Sequence, residues 1–216
     1  MIKAIIFDMD GVLIDAKEWH YEALNRALRL FGYEINRYDH LTTYDGLPTS
    51  KKLEMLTIQN GLPKRLHRFI NDMKQMYTIE IVRTLCRPSF KHEYALSTLK
   101  AEGYRLAVAS NSIRHSVELM MDKARLNHYL DSMLSNEDVL HPKPSPDIYT
   151  KSMQKLGLTP DECLIVEDNE HGIRAAKAAG AHLLVVKNVD EVNYTNIKRR
   201  IAECEKSTDY EKVCSL

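Results

Sequence analysis

The chain has 216 residues, 44% apolar and 28% charged, an ordinary globular composition that excludes a disordered or fibrous protein. Its 30 basic and 30 acidic side chains give a formal net charge of zero, which leaves no global electrostatic case for nucleic acid or an acidic membrane surface. The length fits one domain with an insertion or two small domains, and folding at this size buries roughly 70% of the unfolded surface without disulfide or metal staples.

Ile2 to Phe7 is a short apolar run ending at acidic residues and Gly11, which predicts a buried parallel strand. Asp15 is placed as an N-cap, with Glu18 as its capping-box partner. His20, Leu24, Leu28 and Phe31 then follow at helical spacing until Gly32. From Asn36 to Leu85 no strong strand is present. Thr49-Ser50 is expected to cap a helix carrying Leu53 and Leu56 and closed by Asn60-Gly61, and Leu66, Phe69, Ile70, Met73, Met76 and Tyr77 continue at helical spacing. Residues 15–85 are therefore expected to be all-helical.

The rhythm then changes to alternation. A helix over His92–Glu102 ends at Gly103, and Arg105–Ala109 is a strand ending at Ser110. Ile113–Lys123 is a helix and Ser132–Leu134 a short strand. Ser145-Pro146 supplies an N-cap and N1 proline for a helix ending near Gly157. Cys163–Val166 is a strand, Gly172–Ala179 a helix closed by Gly180, and His182–Val186 a last strand. Such alternation predicts an α/β fold, a doubly wound, Rossmann-like parallel sheet. Residues 1–14 and 86–216 form its core, and 15–85 an inserted helical cap.

No apolar run approaches the ~18 residues of a spanning helix, and Asp8 comes too early for a signal-peptide core. Cys86, Cys163, Cys204 and Cys214 show neither CxxC spacing nor histidines at zinc-site spacing. They are expected to be reduced thiols of a cytoplasmic protein.

Ligands of doubly wound sheets bind outside the carboxyl ends of the strands. Three such ends are polar here: Asp8-Met9-Asp10-Gly11, Ser110-Asn111-Ser112 and Glu167-Asp168-Asn169. Lys143 lies in the Pro-rich loop His141-Pro142-Lys143-Pro144 before a helix. Taken singly, each has a bland explanation: turn residue, helix cap or solvated lysine. Their conjunction is what carries information. Asp8, Asp10, Glu167 and Asp168 on neighbouring strand ends repel one another unless a cation joins them. An all-oxygen set without His or Cys favours Mg²⁺. Ser110, Asn111 and Lys143 would add donors and positive charge for a phosphate.

These four motifs, in this order, resemble the haloacid dehalogenase superfamily of phosphotransferases. They are Asp8-Met9-Asp10-Gly11-Val12, Ser110, Lys143 in Lys143-Pro144-Ser145-Pro146, and Val166-Glu167-Asp168-Asn169. Within it the chain is similar to the β-phosphoglucomutase-like phosphatases, whose helical cap lies between the first and second motifs. One departure is Arg87-Pro88-Ser89, where many relatives carry Pro-Gly at the return from the cap.

The resemblance implies a phosphatase acting on a small phosphorylated metabolite, a sugar or polyol phosphate. Asp8 would be the nucleophile and form an aspartyl phosphate, and Asp10 the general acid and base, with a pKa expected to be raised by burial. Mg²⁺ would be held by Asp8, Asp168 and the backbone of Asp10, with Glu167 direct or through water. Ser110, Asn111 and Lys143 would bind the phosphate. His20, Thr49, Lys51, Lys52 and Lys74 are the candidate cap contacts to substrate. No nucleic acid or membrane partner is expected, and a freely swinging cap favours a monomer. The alternative is a β-phosphoglucomutase, but this chain has Ala16 where such mutases carry a hinge Thr. It also has no Arg in Pro48-Thr49-Ser50-Lys51 for a second phosphate. A receiver-type signalling module would lack both the inserted helices and an acid two residues after its phosphorylated Asp.

Overall fold

The computed structural model describes residues 1–214, with side chains described as far as residue 206. Five parallel strands form one sheet in the order β3-β2-β1-β4-β5. They are β1 (Ala4–Phe7), β2 (Arg105–Ala109), β3 (Ser132–Leu134), β4 (Cys163–Glu167) and β5 (His182–Val185). Phe7 is level with Val108 on one side and Val166 on the other, so β1 is central and its C-terminal end lies between those of β2 and β4.

Alternation along the strands builds two cores. Ile5, Phe7, Leu106, Val108, Leu164 and Val166 face one way, against α5 (Phe90–Ala101), α6 (Arg114–Lys123) and α9 (Tyr194–Cys214). Ala4, Ile6, Ala107, Ala109, Cys163 and Ile165 face the other, against α7 (Asp147–Leu156) and α8 (Glu170–Ala178). Each large side chain fully buried there contributes roughly 1.5–3 kcal/mol. The chain fills β1, β2 and β3 and then crosses to β4, so the sheet's switch point falls between β1 and β4, where such sheets open a crevice.

Between β1 and α5 come α1 (Lys17–Arg29), the short α2 (Arg37–Asp39), a π-helical turn (His40–Tyr44), α3 (Thr49–Asn60) and α4 (His67–Leu85). Leu24 and Leu28 of α1, Leu53 and Leu56 of α3 and Ile70 of α4 form a third, separate cluster. The helical stretch thus has a core of its own, while Ala16 and Val82 at its ends pack into the sheet's core.

Three caps differ from the sequence-based expectation. Ala16, not Asp15, holds the N-cap position of α1, with no side-chain cap bond. Thr49 and Ser50 lie inside the first turn of α3, after Pro48. Pro146 is the N-cap of α7 rather than its first residue, and Ser145 donates instead to the Asp147 carboxylate at 2.5 Å. In each case a neighbouring residue takes the position and the local signal is one or two residues off. Helix α9 lies beyond the last element expected from sequence; there Ile197, Ile201 and Cys204 are buried at helical spacing and Asn193 Oδ1 accepts the Asn196 N–H at 3.0 Å. Cys86 and Cys163 are buried free thiols, and the side chain of Cys214 lies outside the described residues. Among the described residues no helix is long and apolar enough to cross a membrane.

Candidate active site

The loop after β1 turns back on itself: the Leu13 and Ile14 N–H groups donate to Met9 O, and Gly11 N–H donates to Ile14 O at 2.7 Å. Gly11 takes φ +91°, which only glycine adopts cheaply. This tight loop sends Asp8 and Asp10 to different partners.

Asp8 is buried. Its Oδ1 accepts from Lys143 Nζ at 2.6 Å, and the same ammonium donates to Glu167 Oε1 at 2.7 Å while lying 4.6 Å above the Tyr149 ring. Burial, then the Glu167 charge, pushes the Asp8 carboxyl well above its usual range, and Lys143 opposes them. Burial weakens the Lys143 ammonium, but Asp8 and Glu167 outweigh it and hold its pKa above the ordinary lysine value.

Glu167 is saturated. Oε1 accepts from Lys143 and from Tyr149 Oη at 2.5 Å, and Oε2 accepts from the Asp168 N–H at 3.0 Å and Asn169 Nδ2 at 3.5 Å. A Cβ on Gly172 would sit 1.7 Å from Oε1, so α8 needs glycine there for the carboxylate to fit. Gly172→Ala is expected to cost about 2 kcal/mol or more by overpacking, read as a fall in the thermal midpoint.

Oxygens of Asp8, Glu167 and Asp168 lie within 4.8 Å of one another. Asp168 Oδ2 is fully buried and meets Lys17 Nζ at 2.7 Å, and the three carboxylates of this group offer only oxygen ligands. This arrangement fits a hard cation. With Glu167 occupied by protein donors, Asp8 and Asp168 are the carboxylates with capacity left. The carboxylate of Asp10 is not part of this group.

Asp10 instead faces the helical stretch. Its Oδ1 pairs with His20 Nε2 at 3.0 Å and its Oδ2 accepts from Ser112 Oγ at 2.8 Å. His20 Nδ1 lies 3.2 Å from Lys74 Nζ. An ammonium only donates, so Nδ1 accepts, which assigns the ring proton to Nε2 and makes His20 a donor to Asp10. Burial, and next the Lys74 charge, lowers the His20 pKa. The expected rise in the Asp10 pKa is not found. Burial does push it up, but His20, Ser112 and Lys74 together hold it below the ordinary carboxylate value.

A cavity of about 430 Å³ opens between the strand ends and the helical stretch, lined by Asp8, Asp10, Ser110, Asn111 and Lys143 below and by His20, Thr49, Lys52 and Lys74 above. Lys51 is not among its walls; it is exposed and pairs with Glu54 at 2.9 Å. Burial lowers Lys52 to about 8, and burial with repulsion from Lys52 lowers Lys74 to about 8. Ser110 Oγ accepts the Ser112 N–H at 3.0 Å. Asn111 braces the site: its Oδ1 accepts the Lys143 N–H at 3.0 Å, and its Nδ2 donates to Gly46 O at 3.3 Å. Ser112, Tyr149, Lys17 and Asp45 also belong here and were not singled out from sequence. Ser112 alone had a visible signal, its place in the strand-end cluster.

Known proteins carry the same framework. The chain is 28% identical over 184 residues to a phosphorylated carbohydrates phosphatase of Thermotoga maritima, covering 83% of this chain and 82% of that one. It is 28% identical over 185 residues to the fructose-1-phosphate phosphatase YqaB of Escherichia coli, covering 85% and 95%. A β-phosphoglucomutase structure from Clostridium difficile superposes with a TM-score of 0.82 at 20% identity, over 94% of this chain and 98% of that one, a likeness of fold. The model of the haloacid dehalogenase-like hydrolases matches residues 5–186, a span that takes in Asp8, Ser110, Lys143 and Asp168. The chain belongs to that family.

Proposed function

We propose that the protein is a Mg²⁺-dependent phosphatase of small phosphorylated metabolites, sugar or polyol phosphates, with 15–85 as the cap over its site. The observation that carries this reading is the division of labour on one loop. Asp8 is bonded to Lys143, Asp10 is bonded to His20 and Ser112, and both face the same cavity.

An Asp8 oxygen attacks phosphorus as the ester P–O bond breaks, leaving an acyl phosphate on Asp8. The departing oxygen takes a proton from Asp10. Asp10 then removes a proton from the water that opens the acyl phosphate, which frees inorganic phosphate and restores Asp8. Asp8 and Asp168 would hold Mg²⁺, which offsets charge on the phosphoryl group. Lys143 partly opposes the burial that favours the neutral form of Asp8 and adds positive charge beside the transferring group. Ser110 on the cavity floor donates its hydroxyl to a phosphoryl oxygen, and Asn111, its side chain engaged by Gly46 and Lys143, holds the phosphate-binding loop in place.

Asp10 needs a proton it does not hold at neutral pH in this state. A phosphate dianion arriving beside it raises its proton affinity. The chain Lys74–His20–Asp10 is a hydrogen-bonded route that supplies the proton from the cap side. His20→Asn is therefore expected to lower kcat for an alkyl phosphate by about tenfold or more. p-Nitrophenyl phosphate, whose leaving group departs without a proton, should lose much less. Equal losses for both esters would remove His20 from this role.

The fully buried Ala16 offers no hinge hydroxyl, which favours hydrolysis over mutase chemistry, although the cap wall carries the exposed Arg68 beside Lys52 and Lys74. The test is a panel of phosphorylated metabolites assayed for released phosphate with Mg²⁺ and with EDTA. It includes β-glucose 1-phosphate with a glucose bisphosphate primer. Phosphate release that needs Mg²⁺ is expected; conversion to glucose 6-phosphate well above the hydrolysis rate would replace this reading with the mutase.

A further inference from the structure

Lys17, the first residue of α1, takes no part in the chemistry above. Its Nζ lies 2.7 Å from Asp168 Oδ2 and 3.6 Å from Asp45 Oδ2. The Asp168 side chain is fully buried and that of Lys17 is 30% exposed, so the ammonium reaches inward from the hinge. Its stem crosses the loop after β1 where that loop is bare. A Cβ on Gly11 would come within 2.7 Å of Lys17 Cε and 2.1 Å of Asp168 Oδ2. The contact is a close ion pair between a half-buried ammonium and a fully buried carboxylate.

The other neighbour, Asp45, begins the cap loop that docks on the strand ends. The next residue, Gly46, accepts from Asn111 Nδ2 at 3.3 Å through its carbonyl, and a Cβ there would be 2.9 Å from Asn169 Oδ1. Lys17 therefore stands between the acidic cluster and the segment that closes over it. Asp8, Glu167 and Asp168 against Lys143 leave two negative charges in buried space. One divalent cation offsets both. A divalent cation and Lys17 together would overfill the same carboxylate with positive charge, at a separation where repulsion is strong.

We propose that Lys17 is a resident cation on Asp168 that a divalent cation must displace, and that the displaced ammonium passes to Asp45 and ties the cap loop to the hinge. Lys17 is in this sense a positioning residue. It stabilises the metal-free site, competes with the metal, and couples metal occupancy to cap docking. The coupling is reciprocal: whatever Lys17 costs the metal, the metal costs the Lys17–Asp168 pair. The proposal rests on the reading of the acidic cluster as a metal site.

The test uses Mn²⁺ as the probe, with free Mn²⁺ counted by electron paramagnetic resonance and no substrate present. Lys17→Met is expected to bind Mn²⁺ about tenfold more tightly than the wild type, within the usual range of site-to-site coupling. Its metal-free thermal midpoint should fall, and saturating Mn²⁺ should recover most of the loss. Asp45→Asn is expected to loosen Mn²⁺ a few-fold in the wild-type background and not in the Lys17→Met background. Equal or weaker Mn²⁺ binding by Lys17→Met overturns the proposal. Should that variant fail to fold, Asp45→Asn decides alone, and an unchanged Mn²⁺ affinity overturns it. Absence of Mn²⁺ binding by the wild type overturns the metal-site reading and the proposal with it, whereas equal binding by all variants overturns the proposal only.

Discussion

Asp8→Asn is expected to lower phosphate release by about 10⁴-fold or more, the scale seen when a covalent nucleophile is removed, while leaving the fold intact. The amide cannot form the acyl phosphate. It can still accept from Lys143 Nζ, now 2.6 Å from Oδ1, because an amide oxygen is also an acceptor. The substitution also removes one charge from a buried cluster in which burial and Glu167 already push Asp8 toward its neutral form. The thermal midpoint is therefore expected to hold or rise in the metal-free protein. Two measurements check this: phosphate release from p-nitrophenyl phosphate with Mg²⁺, and the unfolding midpoint without metal. An acid-quench phosphoenzyme trap should capture label on the wild type and none on the variant. Activity within tenfold of wild type would assign the nucleophile elsewhere.

How much of this was legible from residues alone divides along a physical line. The strands were legible because burial on both faces leaves short apolar runs, and β2 was placed at Arg105–Ala109 as found. Asp8, Lys143, Glu167 and Asp168 were legible only as a conjunction: each alone reads as a turn residue, helix cap or surface lysine, and the structure brings the four together. Helix ends were less so: Ala16 and Pro146 occupy cap positions where local motifs pointed to Asp15 and Ser145. There the packing of the helix, and not the cap bond, sets the start. The last helix hid in a charged stretch, where among the described residues Ile197, Ile201 and Cys204 are buried on its inner face. Pairings between distant segments left no local trace. Ser112 on Asp10, Tyr149 on Glu167 and Lys17 on Asp168 join residues whose approach depends on the completed sheet. The same reason explains the Asp10 pKa. Burial alone predicts a rise, and the fall comes from His20, Ser112 and Lys74, which folding brings to it.

Lys143→Ala is expected to lower kcat by roughly 10²–10³-fold, the usual scale for removing one donor that stabilises developing charge. Here a second effect adds to it. The ammonium is buried and bonded to both Asp8 and Glu167, so its removal leaves those carboxylates with Asp168 and no buried cation between them. Taking one partner out of a buried ionic group costs about 3–5 kcal/mol. The chain's response is to keep a proton: Lys143 lowers the Asp8 pKa against burial, so without it that pKa rises further. The sign of the pH effect follows. A carboxyl whose folded pKa lies above its unfolded value binds more protons when folded. Stability is then greatest below the ordinary value of 3.8 and falls as pH rises from there to the folded pKa. The destabilisation of Lys143→Ala is therefore expected to be smaller at pH 5 than at pH 7. Turnover should move the opposite way, because the ionised nucleophile is regained only at higher pH. Unfolding midpoints at pH 5 and 7, and phosphate release from pH 6 to 9, check both limbs. A variant that loses stability equally at both pH values, with a pH–rate profile parallel to wild type, would mean that Lys143 does not favour the ionised form of Asp8.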